Sequence, residues 1–179
     1  MLFAASIGAS WLLVPMLGTA AEQVTFGPHD VHSAFYVSKS ENKNEVHYGV
    51  HLDADCRPQG TGPVFAYWKR LKKGVRVDEP LIGMGMRVYS ASEDQTVTIT
   101  PTGGRVVMYV KALERLPVDV RIAKGKDGCS VVPYVVLKGE KARLSYAFLQ
   151  LGMFGITVKH IDVWGVRESD RRKVTERFR

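Results

Sequence analysis

Cysteines, catalytic signatures and long hydrophobic runs are all scarce in this chain. Its 179 residues hold two cysteines, Cys56 and Cys129, with no C-x-x-C spacing, which argues against thiol-redox and cysteine-cluster metal chemistry. No serine sits in a nucleophile elbow, and no His-Glu-x-x-His, phosphate-cradling glycine loop or dinucleotide fingerprint occurs. The common hydrolases and nucleotide enzymes are thereby removed. No low-complexity tract and no fixed-period repeat is present, so solenoids and fibrous classes drop out as well.

Charge is missing from one place in particular. Met1 to Ala21 carries no charged side chain, and an apolar run from Ile7 to Leu17 is followed by Gly18-Thr19-Ala20-Ala21 just before Glu22. An apolar core ending in small residues is how a secretory signal meets its peptidase. Pro15 and Gly18 interrupt the run where a bilayer anchor would continue with large apolar residues. The segment is therefore read as a cleaved signal peptide over residues 1–21, although it lacks the usual basic start. No cysteine lies near residue 21, so lipid-anchored export is excluded. Removing 21 of 179 residues leaves 158, one domain's worth with enough interior to need no extra staples. A periplasmic or secreted location follows. Membrane contact is expected only if the amino-terminal segment is retained.

The mature part carries the whole formal charge of +7. An excess of this size mainly keeps molecules apart in solution, and no specific nucleic-acid partner is expected from it. In an oxidising compartment the isolated pair Cys56 and Cys129 reads as a disulfide. Closing a loop with 73 positions between its ends stabilises a fold by about 4 kcal/mol in the chain-entropy account.

From residue 31 onward, short runs rich in Val, Ile, Tyr, Phe and Thr alternate with Gly, Pro, Asp or Asn, the signature of an all-β domain. Expected strands are Ser33 to Lys39, Glu45 to Asp53, Val64 to Lys72, Met86 to Ser90, Gln95 to Pro101, Arg105 to Lys111, Val118 to Lys124, Ser130 to Leu137, Ala142 to Leu151 and Ile156 to Trp164. Tight turns between them imply an antiparallel meander of about 8–10 strands. Val64 to Trp68, Val106 to Val110 and Val131 to Leu137 are apolar on both parities, so both faces of the sheet meet apolar matter. That favours a closed, calycin-like barrel over a sandwich. The stretches Asp53 to Pro63 and Gly74 to Gly85 read as loops, and the basic end from Arg167 as a solvated face holding either a short helix or a last strand from Lys173 to Phe178.

Few side chains invite chemistry. His47 and His51 share one face of a strand but lie roughly 13 Å apart at strand spacing, too far for one ion. His29-Asp30-Val31-His32 is a weak zinc candidate at a terminus, and Asp53-Ala54-Asp55 lacks the glycine and acidic run of a calcium loop. Asp78, Glu79, Glu140 and Asp162 are carboxylates whose pairing the sequence does not fix. No metal or cofactor is expected, and an enzyme is the least favoured class. The better-founded site is aromatic. Tyr67 and Trp68 are adjacent in a strand and project to opposite faces, and with Tyr109, Tyr134 and Trp164, joined by Tyr146, they are the candidate lining of a small-ligand site. Lys69 to Lys73 follows at once, either steering an acidic partner or discouraging edge pairing.

The block Phe35 to Tyr48, with its Ser40-Glu41-Asn42-Lys43-Asn44 hairpin, then Leu52-Asp53 and Tyr67-Trp68, resembles an uncharacterised, often secreted bacterial family, the domain of unknown function numbered 4833. The likeness takes in residues 33 to 178, including Val158 to Gly165 and Glu176. It implies a β-rich fold and export, and supplies no activity and no catalytic residue. The expected function is an exported β-barrel binding a small apolar or amphipathic ligand. The alternative is an envelope protein that meets another protein.

Overall fold

The computed structural model describes residues 31–39, 42–113, 116–152 and 157–179. The expected signal segment, and most of the His29 to His32 candidate, lie outside the described residues. Eleven strands form one sheet: β1 Val31–Lys39, β2 Asn42–His51, β3 Val64–Lys72, β4 Val75–Pro80, β5 Thr96–Thr100, β6 Gly103–Tyr109, β7 Pro117–Gly125, β8 Gly128–Leu137, β9 Glu140–Leu151, β10 Val158–Arg167 and β11 Lys173–Phe178. A short helix, α1, spans Met84–Tyr89, and a single 3-10 turn spans Lys111–Leu113.

The organising strand is β9. Its twelve residues pair along one edge with β10, and β10 in turn pairs with β11. On the other edge two partners share the length. β8 runs antiparallel beside Glu140 to Arg143, and β1 runs parallel beside Tyr146 to Leu149. The sheet therefore forks into one arm of β1 to β4 and another of β8 back to β5. Ser145 is skipped between the Tyr146–Trp164 and Leu144–Gly165 pairs, a bulge at the point of the fork. A Cβ at Gly165 would lie 2.8 Å from the Arg143 carbonyl oxygen and 3.3 Å from the Leu137 side chain. Only glycine fits where the strands crowd.

The arms fold onto each other over a single core. Phe35, Val37, Val46, Tyr48, Val50 and Trp68 from one arm meet Val106, Met108, Val118, Val120, Val135 and Leu137 from the other, with Ala147, Leu149 and Val163 between them. Polar ties cross as well. Gln95 Nε2 donates to the Val64 carbonyl at 2.8 Å, and Val64 N–H donates to Gln95 Oε1 at 2.9 Å. The Tyr48 hydroxyl, fully buried, donates to the Tyr89 carbonyl at 2.8 Å, which satisfies a group that would otherwise cost stability. Cys56 and Cys129 are joined, with their Cα atoms 5.4 Å apart, and pin the loop after β2 to β8.

Four expectations are corrected. The sheet does not close into a barrel, because β4 and β5, the ends of the two arms, do not pair with each other. On β3 the second apolar face joins a row of outer rings, whereas on β6 and β8 it is partly exposed, with Tyr109 48% and Val136 56% accessible. The sheet is also mixed and not a pure meander, since β1 lies parallel to β9; a β9 long enough for two partners on one edge makes that possible. Met86 to Ser90 forms helix α1 and not a strand. The stretch Gly74 to Gly85, read as a loop, contains β4, whose Asp78 and Glu79 pair with Lys69 at 3.6 Å and Arg70 at 3.4 Å on β3. The carboxyl end is a strand, and its charges are partly used within the fold: Arg177 grips Asp162 through two bonds of 2.6 and 2.8 Å.

Candidate functional site

Five of the eleven strands contribute to a continuous row of rings on the outer face. Tyr67 of β3, His47 of β2, Tyr36 of β1, Tyr146 of β9 and Trp164 of β10 are register partners across the sheet. Successive centroids lie 5.7, 5.3, 5.3 and 4.7 Å apart, with interplanar angles of 35°, 18°, 5° and 11°. Those spacings are close to the distance between strands, so the rings stand on edge and cover one another's faces. His51, Phe65 and Phe148 extend the contacts at the ends. Burial lowers the His47 pKa, against the raising pull of Glu45 at 2.9 Å. Burial likewise raises Tyr36 and Tyr67, so the row is held uncharged at neutral pH.

The sequence-predicted aromatics are not gathered into one place. Tyr67 and Trp164 are members of the outer row. Trp68 points the other way into the core and meets Tyr89 edge-on at 5.3 Å. Tyr109 is 48% exposed near the end of β6. Tyr134 of β8 lies between the cations of Arg121 and Lys141, at 5.2 and 4.1 Å.

The space able to receive a ligand lies elsewhere. A cleft of about 410 Å³ opens where α1 and the 3-10 turn face the start of β10 and the end of β11, a volume within the usual range for small-ligand sites. The Lys111 N–H donates to the Ser90 carbonyl at 3.2 Å, which ties the turn to the end of α1. The floor is aliphatic, with Val88, Ala112, Leu113, Leu116, Ile161 and Val163, and Phe178 adds one ring. The rim is cationic: Arg87, Lys111, Lys159 and Arg179, with the imidazole of His160 beside them.

No side chain among the described lining residues carries a carboxylate, hydroxyl or thiol. The inventory holds groups that attract and seat an anion, and among the described lining residues Lys111, Lys159 and His160 are the side chains able to exchange a proton or act as a nucleophile. His160 itself lies 3.5 Å from Asp162, whose carboxyl is held below its usual range chiefly by Arg177. Arg87, Lys111, Lys159 and Arg179, in contrast, form no ion pair with a carboxylate among the described residues.

A family model described as Domain of unknown function (DUF4833) matches residues 35–177. The chain belongs to this family. No curated protein and no solved structure matches it. The DUF4833 match takes in every residue of the ring row and every cleft residue except Phe178 and Arg179. Sequence reasoning missed the cleft because its lining comes from four separate segments; the one local signal is Lys159-His160 set directly against Val158 and Ile161.

Proposed function

We propose that this DUF4833 chain is an exported binding module for a single amphipathic anion. The aliphatic body lies over Val88, Leu113 and Ile161, and the headgroup sits among Arg87, Lys111, Lys159 and Arg179. The observation that carries the reading is an apolar cleft rimmed by cations that pair with no side-chain carboxylate among the described residues. Charge left uncompensated beside unfilled apolar surface matches a ligand that brings both. Export is supported by the Cys56–Cys129 disulfide and the uncharged amino terminus, and no described helix is long and apolar enough to cross a membrane.

Calorimetric titration with dodecanoate below its micellar concentration tests the reading. One-to-one binding with a negative heat-capacity change is expected, and Ala112→Phe or Val158→Trp should abolish it by filling the floor or the rim. Equal binding to the filled variants would remove the cleft from consideration.

A second reading, a protein-interaction domain, is favoured by β5. The free edges at β4 and β11 carry charges, as protected edges do, whereas Thr96-Val97-Thr98-Ile99-Thr100 carries none and leaves Ile99 59% exposed. Antiparallel pairing of two copies centred on Thr98 would set Thr against Thr and Val97 against Ile99, both favourable cross-strand pairs. A concentration-dependent mass by light scattering, abolished by Ile99→Lys, is the expected signature of that role.

A further inference from the structure

The segment leading into α1 presents three large apolar side chains to solvent within five residues: Ile82 is 70% exposed, Met84 64% and Met86 48%. Such residues are normally turned inward, and here their neighbours are: Leu81 and Tyr89, at either end, are both buried. The projection is built and not frayed. A Cβ at Gly85 would lie 3.0 Å from the indole nitrogen of Trp68 and 3.1 Å from Leu81, so the Gly85 side is pressed onto the core. Gly85 N–H donates to the Ile82 carbonyl, and Arg87 N–H to the Gly83 carbonyl. Ile82, Met84 and Met86 therefore form a fixed apolar tip.

The same short helix places Arg87 and Val88 in the cleft. At a rise of about 1.5 Å per residue, Met84 and Met86 lie within roughly 5 Å of Arg87 along the helix axis. Met84, three residues before Arg87, is its neighbour on one side of the helix, so that side of the apolar tip adjoins the cationic rim, with Lys111 tied to the end of the helix and Val158, 43% exposed, at the edge of the cleft. Exposed apolar groups beside cations that pair with no side-chain carboxylate among the described residues are complementary to one kind of surface, a bilayer with anionic headgroups, where apolar residues enter the acyl boundary and cations meet phosphate.

We infer that Ile82, Met84 and Met86, with Arg87 and Lys111 beside them, dock this protein on an anionic lipid bilayer, so that the cleft opens at the membrane surface and takes its ligand from there. The docking stands on the tip and its flanking charges. Only the statement about the ligand's source rests on the cleft reading above.

Co-sedimentation with large vesicles separates the two. The processed protein, residues 22–179 with the disulfide intact, should bind vesicles containing phosphatidylglycerol, bind phosphatidylcholine vesicles at least tenfold more weakly, and be released as salt is raised. The triple variant Ile82→Ser, Met84→Ser, Met86→Ser replaces exposed side chains only. It should lose vesicle binding at least tenfold while keeping its thermal midpoint and its dodecanoate affinity in solution. Ala112→Phe should do the reverse, sedimenting normally but taking up no dodecanoate. Absence of vesicle binding by the unmodified protein, or unchanged binding by the triple variant, overturns the docking. A concentration-dependent mass that the triple variant abolishes, with no vesicle binding, assigns the tip to a second copy and also overturns it. Vesicle binding without any dodecanoate uptake by the unmodified protein leaves the docking intact and removes the cleft reading.

Discussion

The outer ring row and the cleft are both apolar, both draw on β10, and differ in what each leaves unsatisfied. In the row, Tyr36 and Tyr146 stack at 5.3 Å and Tyr146 and Trp164 at 4.7 Å, so the faces that a planar ligand would seek are already used. In the cleft, aliphatic side chains line open space, and four cations at its rim have no carboxylate partner among the described residues. Aromatic content is thus a poor guide to where this fold leaves open space beside apolar side chains. A ring stacked on its neighbour across a sheet is a cross-strand pair, and its contribution goes to stability.

That contrast can be broken at either end. The largest effect is expected from Tyr146→Ala, which removes the ring stacked on both sides. It should cost about 3 kcal/mol, lowering the thermal midpoint by roughly 6–12 °C, with dodecanoate affinity unchanged; a calorimetric scan and a titration on the same sample check both halves. Next comes charge reversal at the rim. Arg87→Glu with Lys111→Glu should leave the midpoint in place and weaken dodecanoate binding by about 2 kcal/mol, roughly 30-fold, in low salt. Lengthening the ligand sharpens the same point, since each added CH₂ that reaches the floor should tighten binding by about 0.8 kcal/mol, close to fourfold, until the cleft is full.

A smaller effect distinguishes the row by pH. Burial holds the His47 pKa below its ordinary value, so as the pH falls below about 6.5 the unfolded chain takes up a proton before the folded one does. Stability is then fully present above that pH and declines as acid approaches the folded value. His47→Gln should flatten the slope between about pH 5 and 7, measured by urea unfolding. Asp162 acts in a lower window. Arg177 depresses its pKa, so the stabilisation it contributes is present above its unfolded value and lost as the pH falls through the folded one.

Local features were legible in the sequence, and long-range ones were not. Alternation and turn residues located most strands, since β-branched runs such as Val106-Val107-Met108-Tyr109-Val110 carry their own pattern. β4 was hidden because Arg76, Asp78 and Glu79 make an edge strand look like a loop. α1 was hidden because Met86-Arg87-Val88-Tyr89 is too short to display a helical period. The fork depends on a parallel pairing between β1 and β9, more than a hundred positions apart, and no turn announces such a partner. Cys56 and Cys129 were paired from compartment logic alone. The rings of Tyr67 and Trp164 are visible in the sequence, but their membership in one row rests on registers across five strands. Arg87, Lys111, Lys159 and Arg179 gave no joint signal, because only the fold brings these separate segments to one cleft.

The most direct test is to map dodecanoate on the isotope-labelled protein by NMR. The account predicts that amide shifts move at Val88, Leu113 and Ile161 and stay fixed at Tyr36, His47 and Tyr67. Saturable shifts confined to the ring row, with the cleft residues unmoved, would contradict it.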